Sequence, residues 1–253
     1  MREAVNSDSV ITARSRDPLT CQAVIFDGDD TLWLTEALYD AARDAARAAV
    51  EAAGFDGAVW EEAQRRIDVA NVARLGHDAS RFPTSSVEAL AEVTEGAAER
   101  WLQDRVWTAA ESVFRSVAPL RENVDAVLDE LVTRGFRLAL LTKGDQDVQT
   151  FRLATSGLAR RFEVIEIVEH KDATDFSRLA AKLDLGPDAV VSVGNSIRSD
   201  VLPSLRAGIR ALWLPAYVWD YERSHDDTVL EDVHQLDDLQ EVPLLLRLPG
   251  EER

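Results

Sequence analysis

The chain has 253 residues, of which 46% are hydrophobic and 29% charged, enough for one large or two modest folded domains. The net charge of −18 repels nucleic acids and anionic membrane surfaces, so we expect neither as a partner. One cysteine, Cys21, excludes an internal disulfide and a cysteine zinc site, and predicts a cytoplasmic location. We expect no signal peptide and no membrane span, and a disordered tail over residues 1–20.

The first predicted element is a short buried strand, "AVIFD", at residues 23–27, which Gly28 ends. A helical pattern then runs from about residue 34 to 117. We expect three helices there, the third covering "SVEALAEVTEGAAERWLQDRVWTAAESVF" as one unit. The polar stretch "HDASRFPTSS", which contains a proline, predicts a loop before that third helix.

Beyond Pro119 the pattern changes to strands that alternate with helices. The predicted strands are "FRLALLT", "FEVIEIV", "AVVSVG" and "RALWLP", with helical segments between them. Such alternation predicts a parallel sheet with right-handed crossovers. The fold class is therefore α/β: a Rossmann-like, three-layer open parallel sheet with a helical cap inserted after the first strand. We assign residues 21–33 and 118–253 to the core domain and residues 34–117 to the cap.

In open α/β sheets, reactive residues gather outside the carboxyl ends of the strands. Polar residues follow four of the predicted strands, and they are Asp27-Gly28-Asp29-Asp30-Thr31, Thr142-Lys143-Gly144-Asp145, His170-Lys171-Asp172, and Asn195-Ser196 with Asp200. Carboxylate and amide oxygens suit a hard cation such as Mg²⁺. A lysine and a hydroxyl beside the cation would hold phosphate oxygens.

Two aspartates two residues apart can take different roles in a phosphoryl transfer. Asp27 can act as a nucleophile that forms an aspartyl-phosphate, and Asp29 as a general acid and base. Alone, "FDGDDTL" also fits a β-hairpin turn, and the order of the other three motifs favours a site instead. We expect Asp30, Asp145, Asp147 and Asp172 to be turn or cap residues.

The lysines support a functional edge of the sheet. The chain has 25 arginines and three lysines, and two of these lysines, Lys143 and Lys171, directly follow predicted strands. An ammonium group is a compact point charge, unlike a guanidinium fork. The pattern favours a local need for lysine at this edge.

Together, these four stretches resemble the motifs of the haloacid dehalogenase-like hydrolase superfamily, and in particular its phosphatases with a helical C1 cap. The resemblance implies that Asp27 is nucleophile and metal ligand, and that Asp29 is acid/base and a metal ligand through its backbone carbonyl. It further implies that Thr142 and Lys171 bind the phosphoryl group and that Asp200, helped by Asn195, holds Mg²⁺. One departure is Asn195, where the family often has aspartate, and it removes a negative charge from the metal site.

Substrate contacts are expected from both sides of the site. Lys143 and Gly144 lie beside the motif threonine, and Trp33 follows the first motif, where it could line the cleft between core and cap. Cap-side candidates are Glu36, Arg74, Arg81 and Phe82. The histidines lack metal-ligand spacing, and His77 stands out only by its place in the cap loop.

These observations predict a cytoplasmic Mg²⁺-dependent phosphatase, monomer or homodimer, that acts on a small phosphorylated metabolite such as a sugar phosphate or nucleotide. Three alternatives stay open. A phosphomutase or phosphotransferase would keep both aspartates, whereas a dehalogenase would not need Asp29. A non-catalytic binding module on this fold is favoured only by Asn195.

Overall fold

The computed structural model describes residues 18–216 and 233–251. Most of the predicted tail therefore lies outside the described residues. Where the two overlap, Leu19 and Thr20 form a short strand instead of a tail, because they pair in parallel with Leu246 and Arg247. The predicted boundary at residue 21 is thus too late by at least these two residues.

In the described residues, the chain alternates strands and helices around a helical insert. The elements in chain order are β1 (Leu19–Thr20), β2 (Ala23–Phe26), α1 (Glu36–Ala52), α2 (Gly57–Leu75), α3 (Arg81–Val93), α4 (Arg100–Arg115), α5 (Val124–Thr133), β3 (Arg137–Lys143), α6 (Gln146–Ser156), β4 (Val164–Val168), α7 (Ala173–Lys182), β5 (Val190–Gly194), α8 (Leu202–Arg206), β6 (Arg210–Trp213), β7 (His234–Gln235), α9 (Glu241–Leu244) and β8 (Leu246–Arg247).

The main sheet has six parallel strands in the order β4-β3-β2-β5-β6-β7. The central strand β2 is apolar at every position because both of its faces are covered. Val24 and Phe26 belong to one core cluster, and Ala23 and Ile25 to a second. This alternation across the strand places a helix layer on each face, and the predicted three-layer α/β class is confirmed.

Four helices, α1 to α4, stand between β2 and α5 and pack on one another around a cluster of their own that contains Val50, Trp60, Leu90 and Leu102. The chain leaves the core and returns to it side by side. Leu34 N donates to Pro119 O at 2.8 Å, and Arg121 N donates to Leu32 O at 2.9 Å. The insert therefore joins the core through two adjacent segments.

The insert departs from the sequence prediction at two points. The predicted third helix is two helices, because Glu95 and Gly96 take positive φ values of 51° and 80° between α3 and α4. The predicted loop "HDASRFPTSS" is also shorter, since α3 begins at Arg81. Pro83 lies in the first turn of α3, where its missing N–H breaks no hydrogen bond.

Helix starts near the site follow the expected capping pattern. The Asp145 side chain accepts hydrogen bonds from the first turn of α6, and Asp172 does the same for α7 as part of a capping box. Asp30 has a φ of 57° and accepts from the backbone N–H of Thr35 at 2.8 Å. The prediction of turn and cap roles for these aspartates is confirmed, and the two helices are fixed where they leave the sheet.

Candidate active site

The four motif-bearing strands, β4, β3, β2 and β5, are neighbours in the sheet. Their carboxyl ends open into one cavity, which the insert covers from the other side. Eight of the ten predicted site residues line it, and they are Asp27, Asp29, Arg81, Lys143, Gly144, Lys171, Asn195 and Asp200. Thr142 and Trp33 are not among the lining residues.

A buried ion triad forms the centre of the site. Lys171 Nζ donates to Asp27 Oδ1 and to Asp200 Oδ1, each at 2.6 Å. All three residues are buried, with exposed fractions of 8%, 8% and 2% for Lys171, Asp27 and Asp200. Two carboxylates are therefore held on one ammonium, a geometry that is stable only because the opposite charges meet directly.

The charges of this triad shift the pKa values of its members. Burial raises the pKa of Asp27, and repulsion from Asp200 adds to the increase, whereas Lys171 opposes it. Burial alone would lower the pKa of Lys171, but the attraction of Asp200 and Asp27 outweighs it and raises that pKa. The lysine is therefore the fixed positive charge of the site.

The backbone after β5 is shaped around Asp200. Its Oδ2 accepts from Ser196 N at 2.9 Å, across a π-helical turn at Ile197–Val201. A Cβ on Gly194 would lie 2.4 Å from the Asp200 carboxyl carbon. A glycine is required at position 194 because the carboxylate occupies the space of a side chain.

Thr31 and Asn195 complete the surroundings of Asp27. Thr31 Oγ1 donates to Asp27 Oδ2 at 3.0 Å and lies 3.5 Å from Asn195 Oδ1. Trp213 Nε1 donates to the Asn195 backbone carbonyl at 2.9 Å. The amide oxygen of Asn195 thus stands beside the Asp27 carboxylate, in the position where the sequence predicts a metal ligand.

Thr142 is buried, and its hydroxyl has no hydrogen-bond partner among the residues that the structure describes. The hydroxyl faces the loop after β2, 3.0 Å from the place where Gly28 would carry a Cβ. A buried hydroxyl without a partner is uncommon and points to a missing acceptor. The predicted contact between Thr142 and a phosphoryl oxygen is compatible with this orphan hydroxyl.

The carboxylate of Asp29 is held by three donors. Trp33 Nε1 donates to Oδ1 at 2.6 Å, while Gln149 Nε2 and Arg152 Nη1 donate to Oδ2 at 2.8 and 2.7 Å. The Asp29 side chain keeps 30% of its surface exposed, toward the cavity. Asp29 is therefore anchored on one side and accessible on the other.

Trp33 is not among the residues that line the cavity, and its substrate contact stays a prediction that the lining does not support. The side chain is 1% exposed and lies under the loop after β2. A Cβ on Gly28 would come within 2.5 Å of the Trp33 ring, so the ring fits only because residue 28 is glycine. Its contact with the site is the hydrogen bond to Asp29.

Arg81 does line the cavity, yet its guanidinium is engaged within the insert. It pairs with buried Asp68 at 3.1 Å and donates to Gly76 O at 2.9 Å, with His77 Nδ1 at 3.2 Å. Arg81 thereby ties the start of α3 to α2 and to the loop between them. Its substrate role stays a prediction.

Of the remaining cap-side candidates, one lines the cavity and two do not. Phe82 lines the cavity, with Tyr39 packed edge-to-face on it at 4.9 Å and Phe114 further along the Tyr39 ring at 6.2 Å. Glu36 pairs with Arg43 and Arg74 pairs with Glu88. Neither Glu36 nor Arg74 lines the cavity, and the Glu36–Arg43 pair is largely buried, whereas the Arg74–Glu88 pair is exposed.

Sequence reasoning missed several lining residues, above all Gln149 and Arg152 on α6. They are three residues apart and therefore share a helix face. The signal available was this spacing directly after the "TKGD" motif, but it does not show which face of α6 meets Asp29. On the core side, Ser199 was also missed, and its Oγ accepts from Lys143 Nζ at 3.0 Å.

Comparison with known proteins identifies the family. The model of the haloacid dehalogenase-like hydrolases matches residues 21–208. The chain belongs to this family. The match includes every predicted site residue, from Asp27 to Asp200, and the predicted resemblance is confirmed.

The curated relatives of this family member are phosphatases. A phosphoserine phosphatase of Thermus thermophilus is 30% identical over 162 residues, which are 55% of this chain and 65% of the relative. The human N-acylneuraminate-9-phosphatase is 31% identical over 133 residues, 50% of this chain and 53% of the relative. The chain thus spans about half to two thirds of the length of these relatives.

Solved structures extend the likeness over nearly the whole chain. A haloacid dehalogenase-like family hydrolase from Xanthomonas campestris superposes with a TM-score of 0.73 at 26% identity. The match covers 89% of this chain and 94% of that one. The helical insert is therefore shared with this family member as well as the sheet.

In residues 18–216 and 233–251, no helix is both long and apolar enough to cross a membrane. Within the same ranges, no group of three or more His, Cys, Asp or Glu side chains is placed to hold a metal ion. The candidate cation ligands at the site are two carboxylates, Asp27 and Asp200, with the amide of Asn195.

Proposed function

We propose that this chain is a Mg²⁺-dependent phosphatase that hydrolyses a small phosphorylated metabolite through an aspartyl-phosphate on Asp27. The observation that carries the proposal is the Lys171 ammonium, bonded to Asp27 and Asp200 in the cavity at the carboxyl ends of the strands. Phosphoryl transfer needs positioning and charge stabilisation around the transferred group. The phosphatase relatives point to the same chemistry.

In the first half-reaction, a carboxylate oxygen of Asp27 attacks phosphorus. A bond forms between that oxygen and phosphorus, the bond from phosphorus to the leaving oxygen breaks, and Asp29 gives its proton to the leaving alkoxide. Lys171 and Thr142 stabilise the phosphoryl oxygens as charge builds on them. The products are the free alcohol and a phosphorylated Asp27.

In the second half-reaction, Asp29 takes a proton from water as the water oxygen attacks phosphorus. The bond between phosphorus and Asp27 breaks, inorganic phosphate leaves and the Asp27 carboxylate is restored. Asp29 ends protonated, ready for the next leaving group. The exposed side of the Asp29 carboxylate faces the cavity, and from there it would reach both the leaving oxygen and the water.

The donor set at the site fits Mg²⁺, which prefers hard oxygen ligands and keeps several waters. Asp27, Asp200, the amide oxygen of Asn195 and the backbone carbonyl of Asp29 would hold the ion. When bound, Mg²⁺ supplies positive charge that offsets the repulsion between the carboxylates and the phosphate. One amide in place of a carboxylate leaves a net charge at the site that is less negative by one.

The proposed cap, residues 34–117, would enclose the leaving group. Tyr39, Phe82 and Phe114 give an aromatic wall, and His77 and Arg81 give polar contacts on the same side. The curated relatives are named for phosphoserine, glyceraldehyde 3-phosphate and N-acylneuraminate 9-phosphate. A small phosphorylated metabolite is the class these names share, and a buried, lone cysteine suits action in the cytoplasm.

The experiment is phosphate release from p-nitrophenyl phosphate and from a panel of phosphorylated metabolites, with Mg²⁺ and with a chelator. We expect Mg²⁺-dependent release that Asp27→Asn abolishes. Asp147→Asn is the matched control, because Asp147 is exposed on α6 and does not line the cavity. Full activity of Asp27→Asn would contradict the mechanism, and Mg²⁺ binding without any turnover would favour a binding module.

Product analysis separates the two enzymes that keep both aspartates. A phosphatase releases inorganic phosphate in proportion to substrate lost, whereas a phosphomutase retains the phosphoryl group on an isomer of the substrate. We expect one phosphate per substrate consumed. Recovery of an isomeric phosphate ester in place of inorganic phosphate would support the mutase.

A further inference from the structure

The Asp29 carboxylate accepts hydrogen bonds at most of its lone-pair sites, although it also reaches the cavity. An ionised carboxylate has about four lone-pair sites, and three of those on Asp29 are occupied by Trp33, Gln149 and Arg152. Both Gln149 and Arg152 donate to Oδ2. The one site that stays open is therefore on Oδ1, the oxygen that also accepts from Trp33.

The two donors to Oδ2 are rigidly placed. Gln149 is 2% exposed and Arg152 is 4% exposed, and both stand on the face of α6 that meets the cavity. The start of α6 is capped by Asp145, and Gln149 Nε2 also donates to Lys143 O at 3.2 Å. The helix is thus fixed to the same strand end that carries the phosphate-binding motif.

A purely structural role explains Arg152 poorly. Buried arginines usually saturate their five donors on several elements. Here Nη1 donates to Asp29, while Nε and Nη2 are buried without hydrogen-bond partners in the described part of the chain. Arg81, by contrast, is spread over Asp68, Gly76 and His77. The Arg152 guanidinium also interacts with Tyr39, and both Asp29 and Tyr39 line the cavity, so its partners lie at the site.

We propose that Arg152, supported by Gln149, is a positioning residue that fixes the Asp29 carboxylate so that Oδ1 is the atom that exchanges the proton. The proposal rests on the proposed function, because it assigns a geometry to the acid/base of that mechanism. Charge-assisted hydrogen bonds of this kind restrict a carboxylate to one rotamer. A loosely held Asp29 carboxylate would be oriented for proton transfer to the leaving oxygen for a smaller fraction of the time.

The test compares leaving groups in Arg152→Gln. An alkoxide needs the proton from Asp29, whereas p-nitrophenolate leaves readily without it. In kcat/KM, which reports transfer to Asp27, we expect a loss of about tenfold or more for the best alkyl phosphate of the panel and under about threefold for p-nitrophenyl phosphate. Arg152→Lys, which keeps one charged donor, should recover part of the alkyl activity.

A double-mutant cycle with Asp29→Asn completes the test. If Arg152 acts through Asp29, Arg152→Gln adds little to the loss that Asp29→Asn already causes. Arg178→Gln is the control, because it removes a guanidinium from a carboxylate pair on α7 away from the cavity. Gln149→Leu provides a second variant with the same expected preference for the aryl ester should Arg152→Gln unfold.

Equal losses of kcat/KM on alkyl and aryl esters, or losses that add to those of Asp29→Asn, would overturn the positioning role of Arg152. Neither result would contradict the proposed phosphatase function. Absence of phosphate release from wild-type protein with either ester would instead overturn the proposed function. The two failures are therefore distinguishable in one set of assays.

Discussion

The two sides of the cavity are built in different ways. On the core side, Asp27 and Lys171 follow β2 and β4, and Asp200 lies in the turn after β5. Lys171 bonds directly to both carboxylates. On the insert side, Arg81 is bonded within the insert, and Tyr39, Phe82 and Phe114 give the cavity an aromatic wall.

This difference suggests that the core side carries out the reaction and that the insert side selects the substrate. The core side has fixed charges that any phosphate monoester would need, whereas the insert side has shape and apolar surface that only a particular leaving group would fit. Changes on the core side should therefore abolish turnover of all substrates. Changes on the insert side should alter the choice of substrate and leave the dependence on Mg²⁺ unchanged.

The largest effect is expected from Lys171→Met on the core side. Two buried carboxylates would lose their shared cation, so we expect no measurable turnover of any ester and a fall of about 3–5 kcal/mol in the free energy of unfolding. Phosphate release and urea unfolding measure the two effects. Arg100→Met, which removes an exposed arginine paired with exposed Asp104 on α4, should change neither substantially.

On the insert side, Arg81→Met should destabilise without abolishing the chemistry. Buried Asp68 would lose its partner, so we expect the free energy of unfolding, measured in urea, to fall by about 3 kcal/mol. We also expect KM to rise, by an amount that differs between substrates. The Mg²⁺ concentration for half-maximal rate should stay unchanged. Arg74→Met, at an exposed pair with Glu88, should lose less than about 1 kcal/mol. A changed Mg²⁺ dependence in Arg81→Met would remove the distinction between the two sides.

The contrast between the sides also explains what the sequence could predict. The core-side motifs follow strands, and strand order in a parallel sheet brings their ends together, so Asp27, Lys171 and Asp200 were identifiable from pattern alone. The period of the apolar residues revealed the strands themselves.

Two of the failures depend on side-chain contacts that no sequence pattern encodes. Nothing in the local pattern shows that the Trp33 ring lies under Gly28, or that Arg152 meets Asp29 across 123 positions. The break between α3 and α4 is different, because it depends on Glu95 taking a positive φ, which is unusual for a residue with a side chain.

A smaller effect is expected from Asn195→Asp, which restores a carboxylate on the core side. A third carboxylate strengthens the attraction for a divalent cation, so we expect the Mg²⁺ concentration for half-maximal rate to fall by about two- to tenfold. A titration of initial rate against Mg²⁺ measures it, with Asn123→Asp outside the cavity as the control. A higher or unchanged Mg²⁺ requirement would count against Asn195 as a ligand.

The smallest effect is expected from Phe114→Leu on the aromatic wall. The edge-to-face contact with Tyr39 would be lost while apolar volume is largely kept, a change of about 1 kcal/mol or less. We expect KM to change by less than about fivefold, unequally among substrates, with kcat for p-nitrophenyl phosphate preserved. Steady-state kinetics on the same panel checks this. A loss of kcat equal for every ester would place Phe114 with the reaction side.

The central claim is that Asp27 carries the phosphoryl group during turnover. Acid quenching of the enzyme during steady-state hydrolysis, followed by mass spectrometry of the peptide that contains Asp27, tests it directly. The account predicts a fraction of that peptide heavier by one phosphoryl group, on Asp27, and absent from Asp27→Asn. A phosphoryl group found on another residue, or none in wild-type enzyme that is turning over under conditions where hydrolysis of the intermediate limits the rate, would contradict it.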